Sequence, residues 1–252
     1  MIKIRLRFIA IVLFIFIWQL IGELATNPFL KTPTAIVKTV ATTVTWNWIA
    51  FNLVASLITL VLGFTCGTSF GIMIGVALGS SKFSADLFLP IANFIRSIPG
   101  VAKISVIMAI FGLGLNSRIF SVALAAFFPL LLTTIDALRS TKVNYTDLTR
   151  IQKLNKRDAL FSVSLPAASG QIISGMQLAL QLSILVTVVS EMLGSGQGIG
   201  AFIMLSQATF DIENIWVGIF IVGFIGILSN YLLIKLEHLL LPWYFKETRS
   251  KA

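Results

Sequence analysis

The 252-residue chain has one cysteine, one histidine and ten carboxylates, and only 12% of its residues are charged. Each scarcity excludes something. A lone Cys66 in an apolar segment cannot build a disulfide framework or a cysteine-based metal site within one chain. A lone His238 near the C-terminus lacks partners for a metal and reads as a neutral side chain on a polar face. No G-x-x-x-x-G-K-[ST] occurs, so the chain carries no P-loop. Clusters of His, Asp and Glu that could run acid–base chemistry are also missing, which argues against a membrane enzyme.

What the chain has is oil. Hydrophobic residues make up 57% of it, and the mean hydropathy is +0.94. A soluble domain is typically about 45–50% apolar and about 25% charged. A soluble fold of this length could not hide so much, because part of its apolar surface must stay wet. The apolar residues also come in runs long enough to cross a bilayer.

The first run is Phe8 to Ile21, preceded by Lys3, Arg5 and Arg7. A signal peptide would look similar, but no clean small-residue cleavage site follows, so an uncleaved helix is expected. The second run, Leu53 to Leu78, carries glycine at 63, 67, 71, 75 and 79. That spacing puts the glycines on one helix face and lets a neighbouring backbone approach closely. The region Leu87 to Leu113 is interrupted by Pro90, Arg96, Pro99 and Lys103. It predicts an interfacial helix, a bend near Pro99 and a short span to about Phe111. Further spans are expected over Ile119–Ile135, Ile172–Leu193 and Ile215–Leu236, giving an all-α membrane protein of about six helices.

Orientation follows from where Lys and Arg fall in the connections. With the N-terminus in the cytoplasm, fourteen of the nineteen, from Lys3 to Lys251, lie on the inner side. The outer side receives only Lys31, Lys38 and Arg118, while Arg96 and Lys103 lie within the interrupted third region. The net charge of +9 therefore records which face is cytoplasmic, and nucleic acid is not an expected partner. Both termini are expected in the cytoplasm of a bacterial inner-membrane protein.

The longest inner loop, 138–171, holds YTDLTRIQKLNKRDALFSVSLP. Leu148, Ile151, Leu154, Leu160 and Phe161 interleave with charge at near-helical spacing. Thr146 could cap a helix with Asp147 in its first turn, Asn155 offers a turn, and Arg157 begins a second piece ending before Pro166. The apolar ridge of such a protrusion would either dock a cytoplasmic partner or lie on anionic lipid.

These residues resemble the inner-membrane permease subunits of binding-protein-dependent ABC importers. That family carries a cytoplasmic motif of the form EAA, then G, then I-x-LP. Here Leu165 and Pro166 match the LP, and Val163 stands for Ile. Asp147 falls on the Glu position, Leu148 and Thr149 on the two Ala positions, and Lys153 on the Gly position. SIPG at 97–100, FGLG at 111–114 and SEMLG at 190–194 resemble the nitrate/sulfonate/taurine subgroup. The resemblance spans about Phe29 to Trp243.

The resemblance implies a MetI-like permease fold. It divides the chain into a first helix and external loop (1–50), a transmembrane domain (51–243) and a cytoplasmic tail (244–252). It implies a non-catalytic subunit that pairs with a second copy to form the pathway for a small anion or zwitterion: nitrate, a sulfonate, taurine or a thiamine precursor. A cytoplasmic ATPase, which would bind ATP and Mg²⁺, would grip the loop helix of about Asp147 to Asn155. Asp147, Leu148, Thr149, Arg150, Lys153, Leu154, Leu165 and Pro166 would carry the coupling. An extracytoplasmic solute-binding protein would deliver the cargo, with GSGQGIGAFI (194–203), Asp211 and Glu213 as candidate contacts. The chain itself would hold no cofactor. A Lys at the motif's Gly position gives up the freedom that glycine brings to a turn.

Ionisable residues in spans are costly and mark function. Glu191 could line the pathway or bond the following glycine-rich loop. Arg96 could snorkel to the interface. Lys103, four residues past Pro99, would favour an anion if it faces the pathway, alongside the Pro99 bend. An ATP-independent transporter or channel is the alternative. It would need paired intramembrane carboxylates or inverted repeats, and neither is evident.

Overall fold

The computed structural model describes residues 2–25, 27–194 and 196–241. Along 142–150 it describes the helical backbone but not the side chains, and the tail 244–252 lies outside the described residues. The helices are α1 (Ile2–Leu24), α2 (Pro33–Thr43), α3 (Trp46–Gly79), α4 (Lys82–Ser97), α5 (Gly100–Phe111), α6 (Leu115–Ile151), α7 (Lys156–Leu193), α8 (Ile199–Ala208) and α9 (Ile212–Leu240). No strand occurs among the described residues. Helices α3, α6, α7 and α9 are each long and apolar enough to cross a membrane. Helices α4 and α5 together form a fifth, broken candidate span, and α1 and α8 contribute shorter apolar helices, Ile9–Leu24 and Ile199–Ala208.

α6 is the centre of the fold, packed between α3 and α7. Lipid tails are as apolar as leucine, so helices in a bilayer associate by close contact rather than by escape from water. The glycine stripe supplies that contact. A Cβ at Gly63 would lie 2.6 Å from Val122 Cβ, one at Gly71 2.9 Å from Leu130 Cβ, and one at Gly75 2.7 Å from Thr134 Cβ. On the other flank, a Cβ at Gly175 would meet Thr133 Cβ at 2.9 Å, and Ala126, Ala137, Ala168 and Ala179 fill the seam. Two buried hydroxyls bond within their own helix: Thr187 Oγ1 donates to Ser183 O at 2.8 Å, and Ser121 Oγ to Ser117 O at 2.7 Å. No water is needed to satisfy them.

At the outer end, Thr32 caps α2 by accepting from Ala35 N, with Pro33 at the first helical position. α2 is tied to α9 by Lys31 Nζ–Glu213 Oε1 (3.1 Å) and by Thr43 Oγ1–Asn214 Oδ1 (2.9 Å). α1 meets α9 through Trp18, whose ring lies 5.5 Å from Trp216 and 5.7 Å from Phe220.

Several expectations need correction. Pro90 does not interrupt its helix: α4 runs through it to Ser97. The coupling loop has no separate helix capped at Thr146, because α6 continues unbroken to Ile151. Nothing between Pro129 and Ile151 is a proline or glycine, so the helix has no reason to stop. The second piece does not end before Pro166 either. A wide π-helical stretch, 159–164, precedes Leu165, and the helix carries on to Leu193. The wider turn relieves the clash between a proline ring and the carbonyl four residues back. The glycine-rich stretch 194–203 is loop only to Gly198, after which α8 begins.

Candidate functional site: a cavity at the broken helix

The bend is where chemistry collects. α4 and α5 meet at 92° across Ile98 and Pro99. Beside the bend, a cavity of about 460 Å³ opens between α5, α6 and α7. Pro99 and Lys103 both line it, together with Arg96, Ser97, Phe128 and Thr133, while α7 contributes an apolar wall at Leu178, Leu182 and Leu185. Lys103 Nζ reaches the Ile95 carbonyl at a long 3.4 Å and stands 5.9 Å from the centre of the Phe128 ring. α5 has only 12 residues, about 18 Å of helix, so it crosses roughly half a bilayer of about 30 Å. It ends at Gly112, where φ of +79° and ψ of 180° suit glycine alone.

Glu191 lies elsewhere, at the C-terminal end of α7 and only 1% exposed. Its Oε2 accepts from Ser56 Oγ (2.8 Å) and from the Gly200 amide (3.0 Å). Ser56 Oγ in turn accepts from the Ile199 amide at 2.9 Å. A carboxylate at the start of α8 also meets the positive end of that helix. Arg118, buried at the start of α6, donates from Nη1 to the Gln197 carbonyl at 2.7 Å. Asn52, with its amide oriented to donate to Gly198 O (3.1 Å), accepts from Trp48 Nε1 (3.2 Å). Gly198 has φ of +108°, and a Cβ there would fall within the Glu191 carboxylate, 2.6 Å from Oε1. The outer loop is thus stapled from α3, α6 and α7 at once. Of these anchors, sequence reasoning singled out only Glu191. The signal it passed over was Asn52 and Ser56, two polar residues one helical turn apart leading into a long apolar run.

At the far end of the long helices, α6 and α7 form one hairpin. Its turn spans 152–155, with Lys153 at φ +49° and Asn155 Oδ1 accepting from Asp158 N at 2.8 Å. α6 has 37 residues and α7 38, about 55 Å each, so both must project well past a bilayer core of about 30 Å. Ile151 is 80% exposed and Phe161 56%, whereas Leu154 and Leu160 are half-buried, so the expected apolar ridge is divided. Leu160 and Leu165 pack onto a cluster that includes Ala137 and Leu138 of α6, and Pro166 follows half-buried. The side chains of Asp147, Leu148, Thr149 and Arg150 lie outside the described residues.

Four of the helices are long and apolar enough to cross a membrane, and a fifth candidate span is broken beside the cavity. Residues 67–246 match the family described as binding-protein-dependent transport system inner membrane component, and the chain belongs to that family. It is similar to a Bacillus subtilis protein named for aliphatic sulfonates transport, permease protein SsuC, with 32% identity over 90% of this chain and 83% of that one. The nitrate import permease protein NrtB of Synechocystis sp. is 31% identical over 77% of this chain and 70% of its own length. The formylaminopyrimidine transport permease protein ThiX of Halalkalibacterium halodurans is 27% identical over 92% of both.

Proposed function

We propose that two copies of this chain form the membrane pathway of an ATP-driven importer for a small anion or zwitterion. A cytoplasmic ATPase grips the α6–α7 turn, and a solute-binding protein delivers cargo to the outer face. One observation supports this reading above the others: two of the helices that wall the cavity, α6 and α7, are the two that meet in the projecting turn. A displacement at the turn is carried along α6 to Thr133 through a stretch that holds neither proline nor glycine, and along α7 towards Leu182. ATP binding in the partner thereby becomes a change in cavity access. Exposed Ile151 and Phe161 offer that partner an apolar hold, and Lys153 and Leu154 shape the turn between them. Both termini and the turn lie in the cytoplasm, as the Lys and Arg distribution requires. Lys103 and Pro99 belong to the pathway wall, and Glu191 holds the outer loop in place.

The test is co-purification. The solubilised chain should carry an ATPase and a second copy of itself. Ile151→Glu together with Phe161→Glu should release the ATPase while leaving the permease dimer at its original size. Retention of the ATPase at unchanged stoichiometry overturns the reading.

A further inference from the structure

The walls of the cavity are unbalanced in charge. Lys103 and Arg96 line it, and no Asp or Glu does among the described residues. Neither cation forms an ion pair there: the two salt bridges among the described residues are Lys31–Glu213 and Arg139–Asp86. The nearby partners of Lys103 are a carbonyl at 3.4 Å and a ring face, which attract an ammonium but leave its charge uncompensated. Placing a lysine in an apolar wall is costly unless something repays it. Only one carbonyl contact is long enough to be exchanged, so a ligand can take that place. Two further features point the same way. The first turn of α5 opens at the bend with no side-chain cap, and a Cβ at Gly100 would meet nothing within 4 Å. The positive end of a half-helix therefore faces open space beside the two cations.

We propose that this cavity holds a single small oxyanion, with Lys103 as the residue that selects it over zwitterions and cations. The inference rests on reading the cavity as part of the pathway, and it narrows the cargo from "anion or zwitterion" to an oxyanion. A zwitterion would bring an ammonium into a wall that offers it no carboxylate. A neutral solute would leave the Lys103 charge unanswered.

The experiment uses the full-length complex with Cys66→Ser and Ser97→Cys, which places one thiol in the cavity wall. Its modification is timed with an anionic sulfonatoethyl methanethiosulfonate and with a cationic trimethylammonioethyl methanethiosulfonate, each normalised to its rate on free thiol. The anionic reagent should be favoured by about tenfold or more, as expected near two cations with no carboxylate beside them. Lys103→Gln should abolish most of that preference, and Lys103→Arg should keep it. Methanesulfonate should protect the thiol where dimethyl sulfone, its neutral isostere, does not. An equal rate for both reagents, or a preference that survives Lys103→Gln, overturns the proposal. ATPase co-purification is scored on the same preparations. Loss of the partner would sink the importer reading and leave the charge preference to be judged by itself.

Discussion

Ser56 Oγ stands between Glu191 Oε2 at 2.8 Å and the Ile199 amide at 2.9 Å, so one hydroxyl links α3, the end of α7 and the start of α8. It donates to the carboxylate and accepts from the backbone, and both of its bonds are buried. Removing either side chain leaves buried donors without acceptors.

Glu191→Ala is therefore expected to cost more than Ser56→Ala. The first strands the Gly200 amide and the Ser56 hydroxyl together, at about 1–3 kcal/mol for each unsatisfied group. The second removes the hydroxyl and strands the Ile199 amide, while Glu191 keeps its bond to Gly200 N. Thermal unfolding of the purified protein, with proteolysis of the 194–198 loop as a local readout, should rank them in that order. Equal losses would mean that the carboxylate does not anchor the loop.

The glycine stripe makes a sharper contrast. A Cβ at Gly67 would lie 2.9 Å from Ala126 Cβ and press on the backbone of Ala123, whereas one at Gly223 would meet nothing within 4 Å. Gly67→Ala should force α3 from α6 at a cost of about 1–3 kcal/mol, lowering the yield of monodisperse protein. Gly223→Ala should be neutral or slightly stabilising, since alanine is the better helix former by about 1 kcal/mol. Equivalent behaviour of the two variants in size-exclusion chromatography would refute the packing role.

Lys153 adopts a left-handed backbone that costs a non-glycine residue about 1–2 kcal/mol. Its side chain is exposed, so nothing in packing offsets that strain. Lys153→Gly should raise the melting temperature by a few degrees, and Lys153→Val should lower it. If valine is tolerated as well as glycine by differential scanning calorimetry, the turn does not hold the conformation described.

Arg139 Nη2 and Asp86 Oδ1, 2.5 Å apart, tie α4 to α6, but both side chains are substantially exposed. Such a pair contributes about 0–1 kcal/mol and weakens with salt. Asp86→Asn should change stability little at low salt and not at all at high salt. A loss that persists in high salt would assign the pair a larger share in holding the broken span.

The four long apolar spans were legible because each bilayer crossing demands about 20 apolar residues, and a run of that length is visible in one dimension. The bend at Pro99 was legible for a similar reason: a proline and two cations interrupt one run. The unbroken course of α6 to Ile151 was not. Residues 136–151 are polar enough to read as a loop, and only their continuity with a packed helix keeps them helical. Lys153 shows the same limit from the other side. Its sequence position matched a glycine, yet nothing local to a lysine announces positive φ; the closure of the α6–α7 hairpin imposes it.

The amino-acid order alone determined that this chain lives in a membrane and which helix face is stripped to glycine for close approach. Those properties follow from the cost of burying charge and backbone in hydrocarbon, a cost paid residue by residue. Tertiary structure alone decided that Lys103 shares a cavity with Arg96 while Glu191 is withdrawn to staple the outer loop. Both are single charges in apolar runs, and only the packing of α5, α6 and α7 determines which of them meets a void and which meets backbone amides.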